Sequence, residues 1–287
     1  MCVHLRRWAP LLFRPLTLLV SLIATSTAGY ADDAPAPEPE RSEKLEFLTN
    51  QSKAATFHPV DRSDAPYLFQ EAPLFRWQNP ISGADGAIFV WTSGGRPMVL
   101  CKTHVNDKTR GYIHSTVSIA RERFVLKRDG ATQWTTPEPG VSFQTVSDAA
   151  APANTENARL VQMRGIARRY RMLSVWGQEE SGEWDLRLLP TPMMRYASPE
   201  AGVIDGALFG YAQGTNPEAL VLVEAIRTEQ GTEWQSAPAR LSGYAIRGWF
   251  DGKQVLDTQR IQVTRDNETF RHVYQRLSPY PFKEQIR

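Results

Sequence analysis

Leu160, Met163, Ile166, Ala167 and Tyr170 recur at helical spacing, with Arg159, Arg164, Arg168 and Arg171 on the other faces. The pattern predicts an amphipathic helix over Thr155–Leu173. A weaker helical pattern covers Glu40–Thr56. Most of the remaining chain reads as strands, in short runs of aromatic and β-branched residues separated by Pro, Gly, Asn and Asp. Beyond the better helix the predicted strands are Trp184–Leu189, Met193–Tyr196, Gly206–Gln213, Ala219–Thr228, Glu233–Leu241 and Tyr244–Leu256. Asp129-Gly130 and Asp251-Gly252 each lie between strand-like runs and predict tight hairpins. Thr264–Arg287 shows no period, and its Ser-Pro-Tyr-Pro predicts an irregular tail.

The pattern occurs twice. Residues 73–100 and 192–220 align with one inserted residue, Ile204, and 11 identities in 28 positions. Pro73, Arg76, Gly83, Asp85, Gly86, Ala87 and Phe89 match Pro192, Arg195, Gly202, Asp205, Gly206, Ala207 and Phe209, while Trp77 faces Tyr196. Continued without a gap, the register pairs Gly111 with Gly231 and Phe124–Leu126 with Tyr244–Ile246. A second small insertion then brings Asp129 opposite Asp251. Repeats of this kind decide architecture before any local motif does. The expected fold is α+β and β-rich, a tandem duplication of a helix-plus-antiparallel-β-meander module. Each sheet is expected to have one face covered by a helix and the other able to stay wet. The expected segments are a signal peptide over 1–31, a Pro/Ala-rich spacer over 32–40, repeats over 41–147 and 158–287, and a linker over 148–157.

The start explains the charge. Arg6, Arg7 and Arg14 flank a short apolar run, and small residues follow up to Ala28 and Ala31. That is the layout of a cleaved export signal, and the run is short for a span of about 20 residues. No cysteine ends the run, which argues against a lipoprotein anchor. Residues 1–31 hold three arginines and no acid, so the remainder carries 30 Lys+Arg against 31 Asp+Glu. Nucleic-acid binding, which needs a basic patch, has no support from this balance. After cleavage one cysteine remains, Cys101, so no internal disulfide can form. No membrane span is expected after cleavage, and the expected location is the periplasm or the extracellular space.

The Arg-aromatic-x-x-Pro run followed by Asp-Gly-Ala-apolar-Phe, with Met163-Arg164 on a helix between the copies, resembles an uncharacterised family of exported bacterial proteins. The resemblance covers most of the chain beyond the leader. It implies export and carries no activity with it.

Four residues at matched positions are candidates for a ligand site: Arg76 with Asp85, and Arg195 with Asp205. A guanidinium and a carboxylate at equivalent places could form a twinned site. The structural alternative is that Asp-Gly makes a turn, Gly accepting positive φ, while each Arg pairs with its Asp across neighbouring strands. Cys101, His104 and His114 have metal-ligand chemistry. Cys101 and His104 are three apart on a strand and so face opposite ways. Their counterparts with His114 in the second copy read as Val221, Glu224 and Trp234, so no metal and no cofactor is expected. Seven tryptophans beyond the leader make a carbohydrate one candidate ligand, against the commoner use of Trp in cores. These residues point to a non-catalytic exported protein that binds or scaffolds an envelope or extracellular ligand. The alternative is a hydrolase with its site in the cleft between the repeats.

Overall fold

The computed structural model describes residues 38–62, 64–79, 83–107, 111–176, 182–261, 268–269 and 273–279; the expected leader and most of the spacer lie outside them. The first half begins with α1 (Glu38–Lys53), followed by β1 (Ala55–Pro59), β2 (Leu68–Phe69), β3 (Phe75–Asn79), β4 (Ala84–Ser93), β5 (Arg96–Asn106), β6 (Gly111–Ser118), β7 (Phe124–Arg128) and β8 (Ala131–Thr135). A two-residue strand, β9 (Gln144–Thr145), comes next. The second half keeps the order: α2 (Glu156–Arg168), β10 (Tyr170–Val175), β11 (Glu183–Leu188), β12 (Met194–Ser198), β13 (Val203–Gln213), β14 (Asn216–Thr228), β15 (Gly231–Arg240), β16 (Ala245–Phe250) and β17 (Lys253–Thr258). β18 (Glu268–Thr269) and β19 (Val273–Pro279) close the described chain. The pairings are antiparallel, and the fold is α+β and β-rich. No described helix is long and apolar enough to cross a membrane.

Both predicted helices end sooner than their patterns suggest, because β1 and β10 begin at Ala55 and Tyr170. α1 also starts within the predicted spacer, at Glu38. Thr155 caps α2 by accepting a hydrogen bond from Ala158 N, and Glu156 sits in the first turn, where a negative charge suits the helix N-terminus.

In each half the meander strands pair in one order, β3-β4-β5-β6 and β12-β13-β14-β15, and the last hairpin pairs back onto the strand after the helix, β1-β7-β8 and β10-β16-β17. Arg76 pairs with Ala87 and Trp77 with Gly86; Arg195 pairs with Ala207 and Tyr196 with Gly206. The extra residue, Ile204, is absorbed as a β-bulge between Val203 and Asp205. Asp129-Gly130 and Asp251-Gly252 all have positive φ, at 52°, 75°, 46° and 81°, as a two-residue hairpin of the primed type requires.

The second insertion lies earlier than the sequence alignment placed it. Leu100 pairs with Val117, but Leu220 pairs with Ala239, so two extra residues already lie in the β14–β15 hairpin. Phe124 therefore corresponds to Ile246, and both exchange hydrogen bonds with a matching threonine, Thr136 or Thr258. His114 corresponds to Ser236, and Trp234 corresponds to Tyr112.

The expected wet face is not wet. β4 is buried at its first nine positions. Ala87, Phe89 and Trp91 point into a core closed by α1 residues such as Leu48. Ala207, Phe209 and Tyr211 do the same beneath Met163 and Ile166 of α2. The alternate residues form a third core between the halves, where Ile88, Leu100 and Ile119 meet Leu208, Leu220 and Leu241. The layers run helix, sheet, sheet, helix. A strand covered on both faces shows a continuous apolar run rather than alternation.

At one place the halves approach each other at matched positions. Thr215 Oγ1 donates to Gln78 O at 2.6 Å, while a Cβ on Gly95, the equivalent of Thr215, would lie 2.6 Å from Ala197 O, the equivalent of Gln78. The edge strands are also covered crosswise. β9, which follows the first half, pairs with β15; β19, which follows the second, pairs with β6 over seven residues. The predicted irregular tail is thus partly a strand of the first half's sheet.

Candidate functional site

The four predicted ligand residues meet in two ion pairs. Arg76 Nη2 donates to Asp85 Oδ1 at 2.5 Å, and Gln78 Nε2 to Oδ2 at 3.2 Å. Arg195 grips Asp205 through Nε at 3.0 Å and Nη2 at 2.7 Å, and Arg159 of α2 adds Nε at 2.8 Å. The bonds to Arg195 and Arg159 outweigh burial and hold the Asp205 carboxyl below the usual aspartate range. The turn reading of Asp-Gly needs correcting. Gly86 and Gly206 lie inside β4 and β13 and have no positive φ; the matched glycines that do are Gly83 and Gly202, at 69° and 71°. A Cβ on Gly86 would lie 2.4 Å from Trp77, and one on Gly206 2.5 Å from Tyr196. Each glycine is bare so that an aromatic ring can lie across the strand.

Those rings lead to the seam. Tyr196 OH donates to Glu224 Oε1 at 2.8 Å. Glu224 is fully buried, and three more donors converge on it: Arg96 Nε at 2.8 Å on Oε1, Arg121 Nη2 at 2.7 Å and Gln235 Nε2 at 2.8 Å on Oε2. Arg96 and Arg121 belong to the first half; Tyr196, Glu224 and Gln235 belong to the second. The charge of a carboxylate taken out of water is thus met by two guanidiniums and four hydrogen bonds, the condition under which a buried ion survives. Burial and the Glu224 charge push the Tyr196 hydroxyl far above the ordinary tyrosine range, so it stays a donor. Burial, aided by the nearby Arg96 charge, lowers Arg121 despite Glu224.

A shallow groove of about 580 Å³ opens beside this cluster, lined by Arg121, residues 138–143 and Gln235. The Arg121 guanidinium lies 4.1 Å from the centre of the Phe143 ring, and that of Arg96 lies 5.2 Å from it. Gly140 N bonds to Ala120 O at 2.8 Å and pins the wall of the groove to the chain just before Arg121.

The equivalent of Glu224 in the first half is His104, beside Trp77 at 5.3 Å between ring centres. Lys102, in the place of Leu222, reaches across the seam to Pro217 O at 2.7 Å and stands 3.6 Å from Glu218. Burial and the Lys102 charge push His104 down to about 3. Cys101 and His104 part to opposite faces, as expected, but Cys101 and His114 meet, with Sγ 3.3–3.4 Å from the ring nitrogens. His114 lies against Tyr112 OH and Thr116 Oγ1, at 2.9 and 3.0 Å. Burial pushes the Cys101 thiol up to about 12, opposite to what a nucleophile needs. Among the described residues no group of three or more His, Cys, Asp or Glu could hold a metal ion.

Sequence reasoning missed the Glu224 cluster, whose members are scattered from residue 96 to residue 235. One signal was present: a glutamate inside the apolar run Ala219-Leu-Val-Leu-Val-Glu224-Ala-Ile226. No protein-family model, no curated protein and no solved structure matches the chain.

Proposed function

We propose that this chain is an exported, non-catalytic protein of the cell envelope, built from two copies of one module, that binds its ligand in the groove beside Glu224. The leader pattern supports export. The matched order and pairing of strands in the two halves support the duplication. The observation that carries the binding reading is Arg121. Its guanidinium is held by a fully buried carboxylate and an aromatic ring, yet its side chain remains 44% exposed at the groove. A cation so fixed and still wet is a prepared contact, because little entropy remains to be lost when a ligand meets it. The hydrolase alternative draws no support from the Cys101–His114 contact, which lies buried with its thiol pushed up to about 12.

The test is a screen of envelope-type small molecules against the mature protein, read by the amide resonances of Glu138, of 140–143 and of Gln235, with product analysis on the same samples. A compound that moves these amides and is recovered unchanged supports the proposal. Turnover of a compound bound there overturns the non-catalytic reading. Hits that leave 138–143 unmoved overturn the choice of groove.

A further inference from the structure

Given that groove, we infer that its ligand carries a carboxylate, received on the free edge of Arg121. Three observations converge. Arg96 and Arg121 bring two positive charges to one carboxylate, Glu224, so the cluster retains a positive charge. Arg96 Nη2 is buried without a hydrogen-bond partner behind the groove, so the positive charge of Arg96 is met by Glu224 alone. Arg121 spends only Nη2 on Glu224, and its Nε and Nη1 donate to no group among the described residues. Both two-pronged edges of a guanidinium include Nη2, which carries two hydrogens; the one not given to Glu224 completes a planar fork with Nε or Nη1, and such a fork matches a carboxylate edge to edge.

The rest of the groove fits such a ligand. Gln235 is tied through Nε2 to Glu224, which leaves its carbonyl oxygen as an acceptor. That oxygen suits a ligand whose acid group is accompanied by a hydroxyl or amide donor. Phe143 supplies the apolar wall. The cluster has no twin: by the observed register Arg121 corresponds to Gly243 and Arg96 to Asn216. The anion site therefore belongs to one side of the seam.

An acid with neighbouring hydroxyls or amides could be an acidic sugar or the free end of a peptide. Two matched pairs separate these sources: glucuronate against glucose, and Gly-Gly-Gly against its C-terminal amide. Each is titrated into the full-length mature protein, following the amides of Glu138 and 140–143. We expect the acid of at least one pair to bind there at least tenfold more tightly than its neutral mate, and the responding pair names the source. Arg121→Lys, which keeps charge but not the fork, should weaken that acid at least tenfold while the melting temperature stays within a few degrees. Equal binding of acid and neutral members overturns the carboxylate while leaving the groove reading intact. Saturable shifts confined to residues outside 138–143 overturn both. No shift with either acid at about 50 mM overturns the carboxylate, since the proposed contact should hold its ligand more tightly than that.

Discussion

Replacing Glu224 by glutamine removes one negative charge from the seam and leaves its shape almost unchanged. Arg96, whose side chain is 3% exposed, then has no counter-charge. The new amide can still accept from Arg96 and Tyr196, but it presents N–H groups to Arg121 and Gln235. Removing one partner of a buried ion pair costs about 3–5 kcal/mol, because the other charge is stranded. In a domain of this size that corresponds to a fall in melting temperature of roughly 6–20 °C. Arg121→Gln should cost far less, about 0–1 kcal/mol, because that side chain reaches water and Arg96 still neutralises Glu224. The assay is urea unfolding at neutral pH, in which the midpoint should shift while the denaturant slope stays constant. Adding Arg96→Met to Glu224→Gln should restore part of the loss by removing the stranded charge. A loss below about 1 kcal/mol for Glu224→Gln would mean that the cluster behaves as a surface pair. A double variant no better than the sum of its singles would refute the stranded-charge argument.

Gly86→Ala should destabilise by about 1–3 kcal/mol through overpacking against Trp77, measurable in the same unfolding assay, and Gly206→Ala should do the same against Tyr196. Either variant unfolding like the parent contradicts the proposed reason for those glycines. His104 has a folded pKa of about 3 against an ordinary 6.5, so on acidification the unfolded chain takes the proton first. Its contribution is complete above about pH 6.5 and is lost as the pH falls toward 3, by at most about 1.4 kcal/mol per pH unit, and by less because the ring keeps some solvent contact. His104→Gln should flatten that slope; an unchanged slope would rule the effect out. Cys101, buried with its thiol pushed up to about 12, should react with a thiol reagent only as fast as the protein opens, and rapid labelling of the native protein would show that α1 does not seal it.

The apolar face of α2 and the two Asp-Gly hairpins were legible because local periodicity and turn chemistry define them. Three features were not. The continuous apolar run of β4 signals that both of its faces are covered but not by what, so the packing of sheet on sheet was hidden. The two extra residues near Gly231 were misplaced because a longer hairpin shows in pairing and not in residue identity. Gly86 and Gly206 were read as turn residues because Asp-Gly usually marks turns; the reason for them is a ring from the neighbouring strand. The Glu224 cluster joins residues more than a hundred positions apart, a distance over which spacing carries no signal.

Native-state hydrogen exchange tests most directly whether the seam holds the two halves as one body with a fixed groove, the premise of the binding proposal. With rising denaturant, the most protected amides of β4 and β5 and those of β13 and β14 should converge on one opening free energy, and Glu224→Gln should lower that value equally in both halves. Protection in the second half that persists while first-half amides exchange at a much lower free energy would contradict the account.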